Sequence, residues 1–211
     1  MKLRSKIING ILAVLAVLIG SIAIAIGYTE DCEPAVATAS GNTMKAVIYR
    51  CYGGPEVLEY VDVAKPTPLD DEVLVKVHAA SVNPLDWHYM RGSPYIMRLG
   101  TGIGAPKETR LGVDFAGTVE AVGANVQEFK PGDDVFGGKA GAFAEYVTVT
   151  EGRALAMKPD NMSFEQAASV PIAAITAFAT GAYMARAAVA TELLVAGVDA
   201  AGSERGHRAS R

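Results

Sequence analysis

The chain has 211 residues, 50% of them hydrophobic and 20% charged, which is enough for one ordinary core with extensions and too little for two full domains. Its formal net charge is -4, and acidic residues outnumber basic ones between residues 44 and 170; with no basic face to meet a phosphate backbone, nucleic acid is excluded as a partner class. The two cysteines, Cys32 and Cys51, fall in no C-x-x-C spacing, which excludes a disulfide scaffold and a cysteine zinc knot; a single Cys32–Cys51 bridge outside the cytoplasm is weighed and ranked below unpaired thiols.

Residues 1–6 form a basic N-terminus carrying Lys2, Arg4 and Lys6, and residues 7–27 (IINGILAVLAVLIGSIAIAIG) carry no charge. A helix of that length spans roughly 30 Å, the thickness of a bilayer's hydrocarbon. A cleaved signal peptide is the competing reading, because Ala35-Val36-Ala37 resembles a cleavage site. The apolar run is longer than a signal core and the site lies well beyond it, so an uncleaved single-pass anchor is preferred. Basic residues before the run and Glu30, Asp31 and Glu33 after it predict the N-terminus inside and the domain outside.

Residues 28–43 read as a linker: EDCEPAVATASGNT is small, polar and proline-bearing, the composition of a tether. The folded domain is expected over 44–170, where period two dominates. MKAVIYR and VLEYVDV, joined through Gly53-Gly54-Pro55, read as strands, and in EVLVKVHAASV the residues Val73, Val75 and Val77 share a face. FAGTVEAVG, DVFGG and FAEYVTV are further short strands, and Pro131-Gly132 suits the centre of a type II turn. Many short strands with Gly/Pro punctuation predict a mainly β fold, an antiparallel β-barrel with short helices.

Two short helices are expected, PLDWHYMR at 84–91 and one opened by the capping box Ser163 to Gln166. An Ala-rich helix is predicted over 171–198; a second membrane span there is disfavoured by Arg186, Glu192, Pro171 and Gly181. Residues 199–211 read as a disordered tail.

LGVDFAGTVEAVGANVQEFKPGDDVFGG at 111–138, followed by GAFAEYV and KPDNMSFEQAASVPIAAITA, resembles the N-terminal GroES-like domain of the medium-chain dehydrogenase/reductase family over about residues 44–177. SVNPLDW at 81–87 is similar to the zinc-independent branch of quinone oxidoreductases and enone reductases. In the zinc enzymes of the family a ligand cysteine stands at the place of Asn83, and Gly-His-Glu where this chain has Gly112-Val113-Asp114. Independently, catalytic zinc wants three or four convergent Cys, His or carboxylate ligands, whereas His78 reads as a strand residue and His207 as a tail residue; no metal is expected.

The residues alone leave His88, two positions after Asp86, either as a proton-delivering or substrate-binding partner of that carboxylate or as part of an ordinary surface helix. The resemblance implies a substrate pocket made from Asn83, Asp86, His88 and Tyr89, with His88 at the family's usual tyrosine position and Tyr89 one later. It also implies NADP or NAD as cofactor, a small carbonyl or quinone substrate, and cofactor contacts from Asn83 and Thr176; a homo-oligomer is compatible with it.

Dinucleotide binding needs a strand, a glycine-rich turn and a helix N-terminus. Gly100-Thr-Gly102-Ile-Gly104 is followed by Ala105-Pro106, and LLVAGVDAAG at 193–202 has the wrong spacing. The expectation is therefore a membrane-anchored substrate-side domain truncated before its nucleotide-binding domain, with a frameshift after Phe178 as the predicted cause. A non-enzymatic GroES-like interaction module at the membrane is the alternative, and a true chaperonin cofactor a weaker third reading.

Overall fold

The structure, a computed structural model, describes residues 2–32 and 41–182. The chain divides into two compact units, Met1–Pro171 and Ile172–Arg211. The first begins with α1 (Lys2–Gly27), in which 8–27 is, among the described residues, one helix long and apolar enough to cross a membrane. The helix starts five residues earlier than the apolar run, and Ile8, Val17, Ile19 and Ile24 along it are exposed.

Among the described residues seven strands follow: β1 (Thr43–Ile48), β2 (Glu59–Ala64), β3 (Glu72–Ser81), β4 (Asp114–Val122), β5 (Asp134–Gly138), β6 (Tyr146–Thr150) and β7 (Leu155–Met157). β1 and β2 pair as an antiparallel ribbon, and the others form one antiparallel sheet in the order β6-β3-β4-β5-β7. The expected barrel is thus a curled half-barrel of five strands with a separate ribbon. Isolated bridges from Ala46 to Ala144 and from Ile48 to Arg110 tie the ribbon to the rest.

Alternation places the core. Val73 and Val75 of β3 are fully buried with Phe115 and Val119 of β4, Val135 of β5, and Val147 and Val149 of β6, and Val77 packs against this cluster. A bulge on each side of Val77's stretch of β3, at Leu74/Val75 and Val77/Ala79, bends the strand and curls the sheet. The turn at Pro131-Gly132 forms as its residues demand: Gly132 has φ +95° and the Asp133 amide donates to the Lys130 carbonyl at 3.2 Å. α4 (Phe164–Ala168) is opened by the expected reciprocal capping box of Ser163 and Gln166.

The start of the linker is held rather than free. The Glu30 amide donates to Gly104 at 3.0 Å, Thr29 bridges Gly104, and Cys32 is bonded to Cys51 with Cα atoms 5.2 Å apart, inside the range a disulfide requires. The preference for unpaired thiols is corrected by this bond; spacing in sequence carries no information about the contact that closes it. Residues 33–40 lie outside the described residues, as do 183–211 with the later part of the Ala-rich helix and the predicted tail. The apolar helix Pro171–Ala182 is described.

Candidate functional site

β3 delivers the chain to Asn83, which opens α2 (Pro84–Arg91). Asn83 is the N-cap: its Oδ1 accepts from the Leu85 amide at 2.9 Å, while Asp86 Oδ2 accepts from the Asn83 amide at 2.9 Å. Pro84 at the first helical position gives up no needed donor. The other end of the Asn83 amide reaches across to the start of β4, where Nδ2 donates to Asp114 Oδ2 at 3.2 Å; Ser81 Oγ donates to the same oxygen at 3.4 Å. One asparagine therefore fixes α2 to β4 through two carboxylates, Asp86 and Asp114, that are 2% and 1% exposed.

Burial pushes the Asp86 carboxyl up to about 6; the Asn83 and Val113 amides oppose this and the Asp114 charge adds to it. The folded state keeps the proton up to about pH 6, whereas the unfolded chain releases it near 3.8. This contribution is fully present below the lower value and is lost as pH rises through the upper one, a change on the order of 3 kcal/mol. Asp86→Asn, which keeps a cap acceptor but cannot ionise, is expected to flatten the fall in urea midpoint between pH 4 and pH 7 (roughly the span of the two values); an unchanged slope refutes the assignment.

Asp86 and His88 are not brought together, because residues two apart on a helix face different ways. His88 sets its Nδ1 2.5 Å from the Ser93 carbonyl and its ring edge-on to Trp87. The Ser93 carbonyl can only accept, so Nδ1 is the donor in this contact. Tyr89 instead packs with Tyr49, Tyr52, Met90 and Leu111 and lines a cavity of about 190 Å³. Asn83, Asp86 and His88 do not line it.

The cavity is edged by Tyr49, Tyr89, Thr101, Lys107, Arg110 and Leu111. Its volume exceeds that of an engineered apolar cavity, ~150 Å³, that takes benzene, so a one-ring ligand fits. Burial raises Tyr49 above the ordinary tyrosine value and keeps its hydroxyl a donor. With Tyr89 and Lys107 it supplies groups that can polarise a carbonyl oxygen. Arg110 is paired with Glu108 at 3.0 Å. Gly112 is obligatory where cavity and carboxylates meet: its φ is +94° and any Cβ would strike Phe143. Leu111 and Gly112 line the cavity and Asp114, two residues on, holds Asn83, so one short segment joins the two halves of the site.

Among the described residues no three His, Cys, Asp or Glu side chains converge as a metal group would require. His78 bonds Thr118 at 3.1 Å and lies against Phe164, and His207 is outside the described residues. For a dinucleotide, the described residues provide no glycine-rich turn between a strand and a helix: Gly102 and Gly104 follow the four-residue α3 (Arg98–Thr101) and lead into Ala105-Pro106. The group does not fit these residues. Thr176 sits exposed on the helix Pro171–Ala182, in the second unit.

Arg98, which the sequence did not single out, is 3% exposed. Its guanidinium lies against the rings of Tyr52 and Tyr95, 4.4 and 4.7 Å from their centroids. Nε donates to Gly92 O at 2.9 Å, and Nη1 to the Tyr28 carbonyl at 2.7 Å and Thr29 Oγ1 at 3.0 Å, with Ile26 and Gly27 carbonyls at 3.3 and 3.4 Å. A buried cation thus meets the negative C-terminal end of α1.

Residues 69–160 match the family described as "Alcohol dehydrogenase GroES-like domain". A chloroplastic quinone-oxidoreductase homolog from Spinacia oleracea is 38% identical over 141 residues, 64% of this chain and 40% of the relative. The structure of a quinone oxidoreductase from Coxiella burnetii superposes with a TM-score of 0.57 at 34% identity, covering 65% of this chain and 44% of that one. The Escherichia coli quinone oxidoreductase complexed with NADPH gives 0.50 at 29% identity, covering 59% and 36%. The chain spans about two fifths of the length of the curated relatives it matches.

Proposed function

We propose that this chain, which carries the GroES-like domain of the zinc-independent quinone oxidoreductase branch of the medium-chain dehydrogenases/reductases, is the substrate-side part of a membrane-attached enone or quinone reductase. The observation that carries this reading is the cavity edged by Tyr89, Tyr49 and Lys107 beside the Asn83-bridged carboxylates Asp86 and Asp114. Its donors suit the carbonyl oxygen of a small, flat acceptor, and its second-layer carboxylates hold α2, and so Tyr89, in place. When NADPH is bound elsewhere in such an enzyme it supplies the hydride; the residues here position the acceptor and stabilise the oxygen that gains charge. Any role of Asn83 and His88 toward the acceptor belongs to this proposal.

The membrane attachment rests on α1, whose length and composition suit a span and whose C-terminal carbonyls satisfy a buried arginine of the domain. Cleavage after Ala37 would cut the backbone of a segment that Arg98 holds by hydrogen bonds and Cys51 by a disulfide. The flanking charges argue for the domain lying outside, and the Cys32–Cys51 bond supports the same, oxidising side. That side lacks the cytoplasmic NADPH pool, which is the observation favouring the non-enzymatic module as a second reading.

Titration of the full chain in detergent with NADPH, read by nicotinamide fluorescence, tests the restriction to the substrate side. No saturable signal is expected. Saturable micromolar binding would put a nucleotide site in this chain and overturn it.

A further inference from the structure

We infer that the surface around Tyr95, Ile96, Leu99 and Ile103 rests on the lipid bilayer at the point where α1 leaves it; this builds on the reading of α1 as a membrane span. These residues come from a single turn, Tyr95–Met97, the following α3 and the loop after it. They are large and apolar yet 56%, 64%, 54% and 53% exposed. Isolated exposed apolar residues are ordinary, but four from one nine-residue stretch mark a contact surface.

What covers the surface is set by what it is fastened to. Arg98 lies between Met97 and Leu99 in the same stretch, and its Nη1 donates to carbonyls of residues 26–28, the last turn of α1 and the residue after it. The turn Tyr95–Met97 touches α1 directly. Gly104, one residue past Ile103, exchanges its backbone with Thr29 and Glu30. The patch is therefore locked by three separate attachments within one helical turn of the span's end. A flexible tether would leave the domain free to tumble; this joint does not. Tyr28, 58% exposed, and Tyr95 stand at the junction, and aromatic residues with a polar tip suit the headgroup level. Within 95–104 the basic residue is Arg98, which is buried, and the exposed Lys107 reaches back to the Gly100 carbonyl at 3.4 Å, so the occupant is the apolar boundary of the bilayer with its headgroups in reach of one lysine.

The test uses the full chain with Trp87→Phe, reconstituted in phosphatidylcholine vesicles whose acyl chains carry bromine, with one tryptophan reinserted at a time. Leu18→Trp reports the span, Ile96→Trp the patch, and Leu69→Trp the opposite end of the ten-residue β3, roughly 30 Å from α2. Emission from Leu18→Trp and Ile96→Trp is expected to fall about two-fold or more relative to unbrominated lipid, with Leu69→Trp unchanged. Quenching of Leu18→Trp without Ile96→Trp overturns the patch and leaves the span standing. If Ile96→Trp is unquenched by lipid but shielded from aqueous acrylamide, protein covers the surface and the inference is wrong. If Leu18→Trp is not quenched, the span itself fails and the inference with it.

Discussion

Replacing Arg98 by alanine is expected to cost the domain about 3 kcal/mol, read as a lowered urea midpoint in detergent, because one buried and three part-buried carbonyls lose a charged donor, a loss of about 1–3 kcal/mol where the group is buried. The carbonyls are those of Gly92 and of residues 26–28, and two tyrosine rings lose the flat cation between them. Arg98→Lys keeps the charge but not the fork, and should recover less than half of the loss. Its specific signature is the Glu30 amide, now bonded to Gly104 at 3.0 Å, whose hydrogen-exchange protection should fall in Arg98→Ala while the β3–β4 amides keep theirs. Equal loss at both places would mean a general unfolding and refute a local joint.

The second large effect is expected at the disulfide. Cys32 and Cys51 are separated by 19 residues, and closing a loop of that size removes about 3 kcal/mol of unfolded-chain entropy in the chain-entropy account. Cys32→Ser should lower the urea midpoint by that order and make it insensitive to reductant. Wild-type protein should lose the same amount on reduction. Because Arg98 and the disulfide close the same junction, the double variant should depart from additivity: with the covalent link gone, Arg98 must close the junction at its own entropic cost. A wild-type midpoint unchanged by reductant under conditions that free both thiols would contradict this.

The strands were legible because alternation survives in the sequence: Val73 and Val75 are buried as their spacing demands, and Ser163 with Gln166 announces α4 by chemistry local to four residues. β7 was not, since Leu155–Met157 is too short to show a period and forms by pairing with β5. The stretch 95–104 carries neither period, so the turn and α3 were missed, and an arginine there reads as solvated until a tertiary contact buries it. Asn83 illustrates a residue with two readings. The family pattern marks it as a pocket residue, whereas its visible work is to cap α2 and hold Asp114. The cap could have been read from Asn-Pro followed by Asp three residues after Asn83. The cavity could not, because Tyr49, Tyr89 and Lys107 meet only once β1, α2 and the loop before β4 have come together.

The proposed function puts a small carbonyl acceptor in the cavity edged by Tyr89. The direct measurement is ligand-observed magnetic resonance with duroquinone on the full chain in detergent. Saturable binding is predicted, weakened about ten-fold in Tyr89→Ala, an amount equal to roughly 1.4 kcal/mol, with the urea midpoint recorded to show that the variant is folded. Absence of saturable binding, or binding that a folded Tyr89→Ala leaves unchanged, would contradict it.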